Sequence, residues 1–171
     1  MIQELYFAAG CFWGAEKYFH LLDGVVSTEV GYANGRTAAP TYEQVYTDTT
    51  GFAETVHVRF DAEVLPVGEL VRLFLRAIDP LSLNRQGEDC GTRYRTGVYY
   101  TEEAFLPAIR EALDACAAAL GQPLAVECLP LQNFYRAEEY HQDYLGKNPA
   151  GYCHLSPALF EWARAYKPAK P

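Results

Sequence analysis

Hydrophobic positions along the chain alternate between a two-residue and a near-four-residue period, and the switches mark its elements. Glu4 to Ala9 is a short apolar run that Gly10 breaks; a helical pattern then runs from Phe12 to Leu22 and stops at the turn signal Asp23-Gly24. Val25 to Tyr32 reads as a second strand, followed by a loop over 33–41 with Asn34-Gly35 and Pro40. Thr55 to Phe60 alternates, with Val56, Val58 and Phe60 on one face and His57 and Arg59 on the solvated other, which is a half-buried strand. Leu70, Val71, Phe74, Leu75 and Ile78 fall at helical spacing, and Asp79-Pro80 ends that helix. After a polar loop over 80–93 the pattern predicts a strand Tyr94 to Tyr100 and a helix from Thr101 to Leu120. Gly121-Gln122-Pro123 then precedes a strand Leu124 to Leu129, and a last helix covers Ala137 to Leu145.

The order β-α-β-β-α-β-α-β predicts an α/β (α+β) two-layer sandwich. The length of 171 residues fits a single domain over 1–171, with 146–171 as a Gly- and Pro-rich coil tail on the surface. Half of the residues are hydrophobic, enough for a sizeable core, and the net charge of −8 argues against nucleic acid as a partner. No stretch approaches the roughly 20 apolar residues of a membrane span. The first residues carry no secretory pattern, so a cytoplasmic setting is expected. Five cysteines at 11, 90, 116, 128 and 153 form no CxxC pair, and a disulfide in that setting is expected to be transient and catalytic. None of the four His shows metal-ligand spacing with another ligand. Thirteen Tyr suggest a pocket with polar-tipped walls.

Chemistry concentrates at a few places, each with a plain structural alternative. Cys11 sits between a strand end and a helix N-terminus, where backbone N–H groups and the helix dipole favour a thiolate nucleophile. A Cys packed under two aromatics in the core fits equally well. Phe12 and Trp13 form either an apolar cup for a methyl-bearing group or ordinary helix packing. Glu54 shares parity with Val56, Val58 and Phe60, which would bury its carboxyl and make it a general acid near neutral pH; a strand that begins after it would leave it solvated. The run 84–94 is either a hydrogen-bonded turn or one wall of a site. Cys153, on the tail, can reach another thiol or stand idle. Cys116 and Cys128 fall in phase with apolar neighbours and read as core, and His141 as a hydrogen-bonded core residue.

Taken together, the runs Gly10-Cys11-Phe12-Trp13-Gly14, Pro40-Thr41-Tyr42-Glu43-Gln44-Val45, Ala53-Glu54, Arg85-Gln86-Gly87 with Asp89, Gly91-Thr92 with Tyr94-Arg95, Tyr140-His141-Gln142-Asp143-Tyr144-Leu145 and Asn148-Pro149-Ala150-Gly151-Tyr152-Cys153 resemble the A-type peptide methionine sulfoxide reductases, in order and over nearly the whole chain. The resemblance implies a ferredoxin-like fold with a mixed central sheet and a preference for the S epimer of methionine sulfoxide. It makes Cys11 the nucleophile, Phe12 and Trp13 the methyl pocket, and Glu54 the proton donor, with Tyr42 and Tyr94 around the sulfoxide oxygen. Asp89 would shape the polar side and Cys153 would be the resolving thiol. It further implies thioredoxin as reductant, protein repair under oxidative stress, and no metal or organic cofactor; nothing in the sequence demands more than a monomer. Three positions depart from the family pattern: Phe52 where His is common before Ala-Glu, Cys90 where an aliphatic is usual, and Arg93 where Gln is frequent. Cys90 is therefore a second candidate for the resolving thiol.

The residue types suit that chemistry. Sulfoxide sulfur is a poor electrophile until its oxygen is protonated or strongly hydrogen-bonded, so a thiolate, an acid and hydroxyl donors must meet. The resulting sulfenic acid condenses with a second thiol, and a dithiol carrier reopens the disulfide. Two rival readings are a papain-like cysteine hydrolase, which leaves Cys153 without a task, and a redox sensor that forms the disulfide without turnover.

Overall fold

Alternation and helical periodicity predict most of the elements seen in the computed structural model, which describes residues 1–168. In chain order they are β1 (Ile2–Ala9), α1 (Phe12–His20), β2 (Val25–Ala33), α2 (Tyr42–Tyr46), β3 (Ala53–Asp61) and α3 (Val67–Arg76), then β4 (Arg85–Gln86), β5 (Asp89–Cys90), β6 (Thr96–Tyr100) and α4 (Leu106–Leu120), and finally β7 (Val126–Pro130), β8 (Phe134–Arg136), α5 (Tyr144–Lys147) and α6 (Pro157–Ala165).

Six strands make one sheet in the order β7-β6-β1-β3-β2-β8. Only β6 and β7, joined through α4, run parallel; every other pair is antiparallel. The sheet is therefore mixed, and the central run β6-β1-β3-β2 is the split βαβ arrangement of a ferredoxin-like fold. Leu5, Phe7, Val30, Val56, Val58, Phe60 and Val98 face the helices. They are met by Phe12, Ala15 and Phe19 of α1, at i, i+3 and i+7, by Leu70, Val71 and Phe74 of α3, and by Ile109 and Leu113 of α4. Each fully buried Val, Leu, Ile or Phe among them contributes about 1.5–3 kcal/mol.

The second face is less open than its polar pattern predicts. Tyr6, Ala8, Ala33, Ala53 and Tyr99 are buried there under Leu131 and Phe134. His57, expected in solvent, stacks on Tyr6 at 4.3 Å and bonds Glu4 Oε2 at 2.8 Å. Aromatic cross-strand packing outweighs the simple polar-out rule at this position.

The tail departs furthest from expectation. Residues 157–165 are not coil but α6, capped by Ser156 Oγ accepting from the Leu159 N–H, with Phe160 and Ala163 buried in the core. Residues 169–171 of the predicted coil tail lie outside the described residues. The helix expected over 137–145 is reduced to a single turn at 139–141 and the short α5, because Asp143 takes a left-handed conformation (φ +50°) that interrupts it. Cys116 and Cys128, read as core, are only half-buried at its margin.

Candidate functional site

Strand directions gather the candidate residues at one end of the sheet. Ala33 at the end of β2 pairs with Ala53 at the start of β3, and Ala9 at the end of β1 pairs with Thr96 at the start of β6. The four chain segments entering or leaving that end carry Cys11, Tyr42, Glu54 and Tyr94. Loops are free to vary at such an end while the ladders fix where they begin.

Glu54 lies opposite Tyr32 and in phase with Val56 and Phe60, so its carboxyl enters the core face. It is 1% exposed. Its Oε1 accepts the Phe12 N–H at 3.2 Å, while Oε2 is buried with no partner. Burial pushes its pKa up to about 8; the Phe12 N–H and the Arg93 guanidinium pull the other way but do not offset it.

Cys11 is the N-cap residue of α1 and is buried. The helix N-terminus was expected to depress its thiol pKa. In this resting site the thiol is instead held well above its usual range, first by burial and then by the Glu54 carboxyl, with the Trp13 N–H acting in the opposite sense. Removal from water outweighs one backbone donor. Gly10 immediately before it has φ +79°, and a Cβ there would come within 2.9 Å of Gln86 Cβ, so only glycine lets β1 turn into α1 under the 79–94 loop.

An aromatic wall stands beside this pair. Trp13 Nε1 donates to His141 Nδ1 at 2.9 Å, and the Trp13 ring stacks on Tyr144 at 3.8 Å. His141 is fully buried and also lies 5.1 Å from Phe12 and 4.5 Å from Tyr42, centre to centre. Tyr42 is set by the Thr41–Gln44 capping box of α2 and by its N–H, which donates to Glu138 Oε2 at 3.0 Å; Tyr32 Oη donates to the other Glu138 oxygen at 2.8 Å. Burial, with Glu54 and Cys11 nearby, raises the Tyr42 phenol; burial and Glu54 raise that of Tyr94. Both therefore remain hydroxyl donors.

The polar side comes from the 84–94 loop. Gln86 is buried and clamps both the N–H and the carbonyl of Asp79, and it pairs with Asp89 across the β4–β5 hairpin. Tyr152 Oη donates to Asp89 Oδ1 at 2.9 Å, which ties the tail to this loop. Asp89 and Cys90 are successive strand residues and point to opposite faces. Asp89 thus faces the tail while Cys90 is exposed. Arg93 pairs with Asp48 and covers the Tyr94 ring at 4.3 Å. Phe52 does not enter the site; it packs over Gly35 and against Tyr135.

Cys153 closes the arrangement. It is half-buried rather than exposed, and a Cβ on Gly14 would lie 2.8 Å from its Sγ. All five cysteines are free thiols. The structure therefore brings together Cys11, Phe12, Trp13, Tyr42, Glu54 and Tyr94, with Asp89 and Cys153 on the flank. Sequence reasoning missed Glu138 and Asp48, and it named Tyr152 only as part of a motif, without its bond to Asp89. Nothing in the sequence pattern marks these bonds, since each joins residues 45 to 106 positions apart. Among the described residues no group of three or more His, Cys, Asp or Glu could hold a metal ion, and no helix is long and apolar enough to cross a membrane.

A papain-like hydrolase needs an imidazolium that depresses its thiol pKa. Here the nucleophile candidate has a carboxyl as its main charged neighbour and is raised. The comparisons favour the reductase over that rival. The family model for peptide methionine sulfoxide reductase matches residues 3–169. A peptide methionine sulfoxide reductase of Lachnoclostridium phytofermentans is 52% identical over 164 residues, covering 96% of this chain and 99% of that one. The reduced form of Mxr1 from Saccharomyces cerevisiae superposes with a TM-score of 0.85 at 36% identity, covering 91% of each chain. Mxr1 in complex with Trx2 fits with a TM-score of 0.60 at 26% identity, over 84% of each chain. Motif order, sheet topology and site geometry thus converge, and the chain belongs to the A-type peptide methionine sulfoxide reductase family.

Proposed function

We propose that the chain reduces the S epimer of methionine sulfoxide through Cys11 and recycles through a Cys11–Cys153 disulfide opened by thioredoxin. The observation that carries the reading is Glu54: a sealed carboxyl beside Cys11, protonated at neutral pH, with one oxygen lacking any partner. Such an acid can protonate or strongly hydrogen-bond a sulfoxide oxygen, with Tyr42 and Tyr94 as further donors. Half-buried Trp13 offers the apolar surface for the substrate methyl, with Phe12, buried in the core, backing the pocket.

Cys11 sulfur then attacks the activated sulfoxide sulfur. In net terms the oxygen moves to Cys11, the thiol hydrogen ends on that oxygen, and methionine leaves. Cys153 attacks the sulfenic acid, releasing water and forming the disulfide. A dithiol such as thioredoxin reduces it by exchange; the Mxr1–Trx2 complex supports that choice for a similar fold. Asp89, bonded to Tyr152, holds the tail and shapes the polar side. This assignment makes the chain a single catalytic unit that repairs oxidised proteins in the cytoplasm.

The test is a single turnover of pre-reduced protein with each epimer, counting thiols before and after. About two thiols lost per methionine formed, on the S epimer alone, is the expected result. Methionine from neither epimer would overturn the proposal, and a disulfide formed without methionine would favour the sensor reading.

A further inference from the structure

His154 follows Cys153 directly, and the assignments above give it no task. Its position is unusual for a tail residue. Both ring nitrogens are shut off from solvent, and neither makes a well-formed hydrogen bond. The ring lies along the turn that carries Cys11: Nε2 is 3.2 Å from where a Cβ on Gly10 would stand, and Nδ1 is 3.4 Å from where a Cβ on Gly14 would stand. That second point is also 2.8 Å from Cys153 Sγ. One nitrogen thus sits on the Cys153 side, and the other beside the residue preceding Cys11. A buried imidazole with no well-formed bond at either nitrogen, lying between the residue that precedes Cys11 and the Cys153 side of Gly14, has the form of a proton carrier.

We propose that His154 carries the proton of the resolving step, from the Cys153 thiol to the departing oxygen of the Cys11 sulfenic acid. The inference rests on the sulfenic acid reading of Cys11 and extends it. Nδ1 accepts the Cys153 S–H proton as the Cys153 sulfur attacks Cys11 sulfur. The Cys11 S–O bond breaks, Nε2–H donates to that hydroxyl, and water leaves. One S–S bond forms, one S–O bond breaks, and the imidazole ends neutral with its proton on the other nitrogen.

The surroundings suit a neutral ring. Burial lowers the His154 pKa, with the Asp89 carboxylate and the neighbouring Ala9 carbonyl acting against it. Cys153 itself is raised by burial, while the Leu155 N–H, donating to Sγ at 3.4 Å, and Lys17 of α1 favour its thiolate. A thiol so raised is mostly protonated at neutral pH, so a base beside it accelerates the attack.

The experiment follows methionine release and disulfide closure in the same quenched samples, using the pre-reduced 171-residue chain, His154→Gln and His154→Ala with the S epimer. In both variants closure should lag behind methionine release by about 100-fold more than in the parent at pH 7. The added lag should shrink as pH rises and Cys153 ionises unaided, and free imidazole should restore part of the rate in His154→Ala. Closure that keeps pace with methionine release in both variants would overturn the proposal. So would a lag that neither pH nor imidazole relieves, because a ring that only packs the tail would behave that way. Failure of the parent protein to release methionine would instead sink the reductase reading itself.

Discussion

The two cysteines of the site stand on very different supports. Cys11 leaves a central strand whose neighbours on both sides are hydrogen-bonded, and its acid partner Glu54 comes from the adjoining strand in fixed register. Cys153 lies outside the sheet, between the short α5 and α6, held by the Tyr152–Asp89 bond and the close passage over Gly14. The first half must present a thiol, an acid and two phenols to one sulfoxide within a few tenths of an ångström, which packed strands and a helix start can do. The second half must let one sulfur approach another and later offer the bond to a carrier. A lightly tethered segment serves that need. Protection and reach are thus divided between the two regions.

Substitution at the rigid half should have the largest consequence. Cys11→Ser is expected to give no methionine above background from either epimer; measurable turnover would move the nucleophile elsewhere. Glu54→Gln should slow the first turnover by about 10²–10⁴-fold with little change in substrate binding, the range for loss of a general acid. The parent rate of that step should also fall as pH rises through about 8, where Glu54 ionises, and this limb should vanish in the variant.

The same substitution tests how much strain the rigid half holds. A carboxyl raised from 4.5 to about 8 binds its proton more tightly folded than unfolded. Stability from this group is full below the unfolded value and falls as pH rises toward 8. Glu54→Gln should therefore have a larger unfolding free energy than the parent at pH 8, by a margin on the order of a few kcal/mol that closes toward pH 4.5. A variant less stable than the parent at pH 8 would contradict the buried, protonated state of Glu54.

At the tethered half, Cys153→Ser should leave the first turnover in place and stop at about one methionine per protein with thioredoxin as reductant. Continued cycling would shift the resolving role to another thiol. Cys90→Ser should have the smallest effect, with thioredoxin-linked turnover within about twofold of the parent, because Cys90 points away from the face that Asp89 presents to the tail.

Much of the rigid half was legible in the sequence because its signals are local. Parity along 54–60 offered Glu54 the apolar face as one of two readings, and Gly10 before an aromatic helical run placed Cys11 at a strand-to-helix turn. Family motifs then supplied Tyr42, Tyr94, Asp89 and Cys153 as candidates. The tail was read less well: β8 and α5 are too short to stand without docking, while α6 opens on a Ser156-Pro157 helix start that the surrounding Gly and Pro masked.

By itself, the sequence determined the order of the eight main elements, the family and which side chains could bear chemistry, since periodicity and motif spacing are written within short stretches. Only the tertiary structure decided the protonation of Cys11 and Glu54, the bonds from Glu138, Tyr152 and His141, and the place of His154. Those properties depend on desolvation and on partners far away in the chain, and both exist only once the sheet has brought four strand ends together.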